Sequence, residues 1–251
     1  MIGIRNLYRA FNETRKAARE QATLAVTGDS PRAARMAEIL DAQRGIRGAE
    51  VILEVPESGK VSLSGKAIEE PGSVHLSSVS EKEVLEKLAP ELVRALDEDY
   101  LIPLAKGYPA LRRAVCEEVI RKNARQNAVI GALPVPGADM PVMTANQGRM
   151  VLNIAAAYGE ELSMERAREL LGVLAAGFGL RALGRQAVKL VPYGGWAASA
   201  VIGYAGTLAM GRASMLYFER GKQKPDPEEM AGIRRRALEE ARAFISRKRR
   251  R

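Results

Sequence analysis

The sequence predicts a mainly α protein: a C-terminal Gly/Ala-rich helical bundle preceded by a small α/β region. Three observations predict it. Apolar residues recur at helical spacing through most of the chain after Asp99, whereas short strand-like runs are confined to about residues 22–79. Aromatic residues make up only 5% of the 251 residues against 23 glycines, so volume is filled by Ala, Leu, Val and Met and helices can approach closely. A hydrophobic content of 47% at this length is enough for a buried core. Four segments follow: a basic amphipathic helix at 1–21, an α/β region at 22–98, a helical domain at 99–220, and a linker with a basic C-terminal helix at 221–251.

In the first segment Ile4, Leu7, Tyr8 and Phe11 fall on one helical face among Arg5, Arg9, Arg15, Lys16 and Arg19. That face suits docking on the body of the protein or lying on a membrane surface. Thr23-Leu-Ala-Val-Thr reads as a strand ending at Gly28-Asp29-Ser30-Pro31, where Ser30 caps a helix and Pro31 opens it. Ala33, Met36, Ala37 and Leu40 give that helix an apolar face. Ala49-Glu-Val-Ile-Leu-Glu-Val is a second strand, completing a β-α-β unit. Residues 56–73 read as a polar loop or exposed hairpin, and Val74–Val79 as a third strand. Ser80 with Glu83 three positions on predicts a capping box, and Pro90 should kink or split the helix that follows.

After Asp99 only helices are expected. One runs over about 109–128, with Leu111, Val115, Val119 and Ile120 on a face. The next starts near Asp139 and stops at Gly159 in a left-handed turn. Ser163 caps another, carrying Ala167, Leu170, Leu171 and Leu174, and a short one ends before Pro192. Leu190 to Gly211 is free of charge, and Gly195, Ser199, Gly203, Thr207 and Gly211 recur every fourth position within it. Such a stripe lets a neighbouring backbone come very close, in a bundle, in a bilayer or in a homo-oligomer. Tyr193 and Trp196 lie at one end and Tyr217 and Phe218 at the other. The run is long enough to span a bilayer, although its glycines lower its hydrophobicity. Asp139, Asn146, Gln147 and Arg149 are polar groups in apolar surroundings, suited to interhelical hydrogen bonds or to lining a site. Asp226-Pro-Glu-Glu starts the last helix, which ends in Arg247, Lys248, Arg249, Arg250 and Arg251.

The formal net charge of +9 sits at the ends, +3 over residues 1–20 and +7 over residues 232–251, so the body is nearly neutral. Basic ends favour anionic partners, either phospholipid headgroups or nucleic acid, or simply keep the termini solvated. The sequence shows no recognised nucleic-acid fold and no aromatic stacking platform, which weighs against nucleic acid. One cysteine, Cys116, excludes an intrachain disulfide and fits a reducing, cytoplasmic setting. The N-terminus lacks the apolar segment of a signal peptide.

Chemistry is scarce. With one histidine, His75, and one cysteine, no metal site of ordinary composition and no histidine-based triad of obvious form is expected. Gly59 to Lys66 fails as a phosphate loop: its spacer has five residues rather than four, and Ala67 replaces the magnesium-binding hydroxyl. Gly28–Pro31 could seat an anion at a helix start, though a capped turn explains it as well. No catalytic residue and no cofactor is expected.

Ala132-Leu-Pro-Val-Pro-Gly-Ala-Asp-Met-Pro, Asn146-Gln-Gly-Arg-Met-Val-Leu-Asn-Ile-Ala-Ala-Ala-Tyr-Gly, Leu190-Val-Pro-Tyr-Gly-Gly-Trp and Gly206-Thr-Leu-Ala-Met-Gly-Arg-Ala-Ser-Met-Leu-Tyr-Phe-Glu occur in this order. Over about residues 110–220 the chain resembles the bacterial domain-of-unknown-function family 697, the YcjF-like domain. The resemblance implies association with small GTPases and with membranes, and makes residues 22–98 a possible remnant of a GTPase-like fold. The expected function is therefore a non-enzymatic, membrane-associated module accessory to a small GTPase, at the cytoplasmic face. The alternative is a soluble helical scaffold or interaction protein with a basic tail that binds nucleic acid or phosphate.

Overall fold

The computed structural model describes residues 12, 14, 16, 20–132, 139–160 and 195–249. The helix expected at 163–174, the short helix before Pro192, Tyr193 and the apolar face of the N-terminal helix lie outside these residues. So do Arg250 and Arg251. The protein is mainly α, with a small α/β region before a helical bundle.

The α/β region holds a five-stranded mixed sheet in the order β2-β1-β3-β4-β5. Strand β1 (Leu24–Thr27) lies parallel to both β2 (Gln43–Arg44) and β3 (Val51–Glu54). Strands β4 (Lys60–Ser64) and β5 (Gly72–His75) continue antiparallel from β3. Leu24, Ala25 and Val26 are all fully buried, as a central strand covered on both faces requires. Helix α1 (Pro31–Leu40) buries Ala33, Met36, Ala37 and Leu40. The Ser30 hydroxyl caps it by accepting from the Ala33 amide and donates to the Val55 carbonyl, both at 3.2 Å. At Gly28 φ is +119°, and a Cβ there would sit 2.7 Å from the Val55 carbonyl oxygen, so only glycine fits. Residues 56–73 carry β4 and the start of β5, paired antiparallel, which agrees with the hairpin alternative rather than the loop, although Val61 and Leu63 are buried.

Ser80 caps α2 (Glu81–Glu83) by accepting from the Glu83 amide. The Glu83 carboxylate reaches further back than a capping box requires, to the Ser78 amide at 2.8 Å and the Ser77 hydroxyl at 2.7 Å. A π turn, Val84–Leu88, separates α2 from α3 (Ala89–Ala95), with the Ala89 amide donating to the Val84 carbonyl. The wide turn comes just before Pro90, which has no N–H for the carbonyl four residues back and would clash with it. Helix α4 (Glu98–Gly107) follows, capped by Asp97.

The bundle comprises α5 (Pro109–Ala132), α6 (Asp139–Ala157), α7 (Gly195–Glu219) and α8 (Pro227–Arg249). Two compact units result. One holds the sheet, α1–α4 and α5 up to Glu118; the other holds α5 from Val119, α6 up to Ala155, α7 and α8. Gly159, at φ +78°, ends α6 in a left-handed turn, with the Glu160 amide donating to the Ala155 carbonyl at 3.0 Å. At the head of α8 the Glu229 amide donates to Asp226 at 2.8 Å, and the Asp226 amide donates to the Glu229 carboxylate at 3.0 Å. Two otherwise orphaned amides are satisfied reciprocally.

Candidate functional site

Among the described residues helix α7 touches α5, α6 and α8. Gly131 of α5 faces the Ser199 carbonyl, Gly203 faces the Asn127 carbonyl, and Gly211 faces the Ile120 side chain. The order of these pairs makes α5 and α7 antiparallel. A Cβ added at Gly203 would stand 2.6 Å from the Asn127 oxygen, and one at Gly131 2.8 Å from the Ser199 oxygen. The small residues of α7 therefore meet α5 of the same chain, which corrects the expectation of a homo-oligomer through this face. Gly195, the first of the stripe, opens the helix.

Thr207 lies where three helices meet. Its hydroxyl donates to the Gly203 carbonyl at 2.7 Å and accepts from Asn127 Nδ2 of α5 at 2.8 Å and from Gln147 Nε2 of α6 at 3.2 Å. One donor and two lone pairs are all a hydroxyl has, so Thr207 is saturated. Asn146 Nδ2 of α6 donates to Asn127 Oδ1 at 2.9 Å, extending the network. Asn127, Thr207 and Gln147 are buried. Buried polar groups are tolerated when fully paired, and pairing across three helices fixes their register.

Of the polar residues singled out from sequence, Asn146 and Gln147 join this network. Arg149 is exposed, and Asp139 is the first residue of α6. Asn127 is the member that sequence reading missed. It is one of several polar residues in an α5 of mixed polarity, and only the position of Thr207, 80 residues away, gives it a role. At the N-terminus Thr14 is buried and donates to Asn153 Oδ1 of α6 at 2.7 Å.

Helix α8 packs antiparallel on α7. Arg220 pairs with Glu229, Arg212 Nη2 lies 2.8 Å from Glu240, and Tyr204 stacks on Phe244 with ring centroids 4.6 Å apart. Glu240 also approaches Arg121 of α5 at 3.6 Å, so one carboxylate ties α8 to two helices. Burial first, and the Glu240 carboxylate second, raise the Tyr204 phenol above the usual tyrosine range. Met230, Ile233, Ala237 and Ala241 are buried. The opposite face is exposed: Ala231, Arg235, Arg236, Glu239, Arg242, Ala243 and Ser246. Arg235 and Arg242 are two turns apart on it, and the helix runs on through Arg247 and Lys248 to Arg249, the next position in this register.

Among the described residues no group of three or more His, Cys, Asp or Glu could hold a metal ion. His75 is exposed on the edge strand β5, and Cys116 is buried as a reduced thiol. At Gly28–Pro31 the Ser30 hydroxyl donates to the Val55 carbonyl and accepts from the Ala33 amide, as a helix cap does.

Fold and site together define a helical packing module: a small-residue central helix, a saturated polar node, and a docked helix with a basic outer face. The model of a family described as a domain of unknown function (DUF697) matches residues 104–243, more than half of the chain. The chain belongs to this family. No curated protein and no solved structure matches it.

Among the described residues no helix is long and apolar enough to cross a membrane, which overturns the membrane-associated reading and its lipid partner. The physical reason lies in α7. It is apolar nearly all round because α5, α6 and α8 surround it, with Ala200, Val201, Gly203–Gly211 and Ala213–Met215 buried. Residues 190–194 of the uncharged run lie outside the described residues. The family match does not extend to the GTPase association that the resemblance implies.

Proposed function

We propose that this protein is a non-enzymatic helical interaction scaffold whose C-terminal helix binds a phosphate-bearing polyanion. One observation carries the reading. Helix α8 is held on α7 by an apolar face and three side-chain contacts, yet presents Arg235, Arg236 and Arg242 to solvent and leads into five consecutive cations. Capping a helix C-terminus takes one or two cations, so this density favours an anionic partner. Arg specifically matches phosphate oxygens in a bidentate fork. Asn127, Asn146, Gln147 and Thr207 then serve as the register lock that keeps α7, and so α8, in place.

Binding of the full chain to inorganic polyphosphate tests this. Replacing Arg247, Lys248, Arg249, Arg250 and Arg251 by Gln should weaken binding by roughly tenfold or more at low salt, with the circular dichroism spectrum unchanged. Equal binding by the substituted and natural chains would remove the tail from the proposal. Absence of any binding at low salt would end it.

A further inference from the structure

We infer that the polyanion fitting α8 is duplex nucleic acid, held by its phosphates and independent of base sequence; this rests on the polyanion reading above. The argument starts from shape. Helix α8 has 23 residues, with Glu228 and Glu229 in its first turn; its basic part, from Arg235 onward, covers roughly 21 Å at the α-helical rise, over half a turn of B-form duplex. Arg235 and Arg242 are exposed two turns apart, about 10 Å along the helix, with the exposed Glu239 between them, and position 249 follows in the same register. Ala231, Ala243 and Ser246 are exposed along the same helix, and such short side chains let a wide partner approach the helix closely.

A rigid helix that carries cations meets a rigid duplex with little backbone entropy lost on either side, whereas a single strand must be straightened first. Single-strand binders offset that cost by stacking bases on aromatic rings. On α8 the one aromatic ring, Phe244, is already stacked on Tyr204, and among the described residues no large exposed apolar side chain is aromatic. The same face lacks an exposed apolar wedge of the kind that anchors a helix in a lipid boundary, since Met230 and Ile233 are buried against the bundle. Sequence independence follows because the contacts invoked are arginine to phosphate, and phosphate contacts carry no sequence information.

The test uses the full chain with three probes compared at equal phosphate concentration: a DNA duplex of about two helical turns, one of its strands alone, and inorganic polyphosphate. The duplex should bind roughly tenfold tighter than the single strand, and a second duplex of unrelated sequence should bind alike. Single strand or polyphosphate binding as tightly as the duplex would overturn the duplex assignment while leaving the polyanion reading in place. A strong preference between the two duplexes would overturn the sequence independence. No binding of any probe at low salt would overturn both readings.

Discussion

At Gly203 the backbones of α5 and α7 leave no room for a side chain, since the Asn127 carbonyl oxygen stands 2.6 Å from where a Cβ would be. On an exposed helix, Gly→Ala stabilises by about 1 kcal/mol. Here the added methyl meets a backbone atom that cannot rotate away, and overpacking of this kind costs about 1–3 kcal/mol. Gly203→Ala should therefore lower stability in urea unfolding, and a gain would show that α5 and α7 are not this close. In the other unit, Lys87 above all, with the Ser77 hydroxyl and Ser78 amide, holds the Glu83 carboxyl down to about 2 from its ordinary 4.5. Its folded-state value is the lower one, so its contribution is complete above pH 4.5 and is lost as pH falls toward 2. Exchange of the Ser78 amide should accelerate across that window, and Glu83→Gln should remove the pH dependence. An amide indifferent to this window would show that the carboxylate does not hold the turn. The spacing of Ser199, Gly203, Thr207 and Gly211 is legible in the sequence because it needs only the helical period. Their partners Gly131 and Asn127 are not, because tertiary pairing leaves no local mark.

Among the elements, those with strong local chemistry were readable. Ser30-Pro31 and Asp226-Pro227 start helices through side-chain caps and a preset φ. The short strand β2, two residues long and exposed, has no periodicity to read, and β4 lies in a segment of turn residues. The π turn before Pro90 is a response to a forbidden hydrogen bond, so its location is legible and its form is not. Helix α8 depends on Glu240, which sits between Arg212 and Arg121. Glu240→Gln removes the charge that pairs both guanidiniums and keeps the side-chain volume. Amides over residues 237–245 should then exchange faster, while the Asn127–Thr207 node stays protected. Unchanged exchange in α8 would mean that the Tyr204–Phe244 stack and the apolar face hold the helix alone.

For the whole molecule, the fold class followed from composition and periodicity, whereas the environment of α7 did not. An uncharged helix has the same sequence signature whether lipid or protein surrounds it; α5, α6 and α8 supply the answer here. The basic tail was legible as charge, but the exposed line through Arg235 and Arg242 required knowing which side of α8 faces α7. That line carries the functional claim, and its electrostatic stoichiometry is the most direct measure of it. Affinity for a DNA duplex should be followed from about 50 to 200 mM salt for the natural chain and for the double variant Arg235→Gln, Arg242→Gln. If both arginines contact phosphates, the slope of log affinity against log salt becomes shallower by about 2 in the variant. Parallel slopes for the two proteins would contradict a phosphate-binding face on α8.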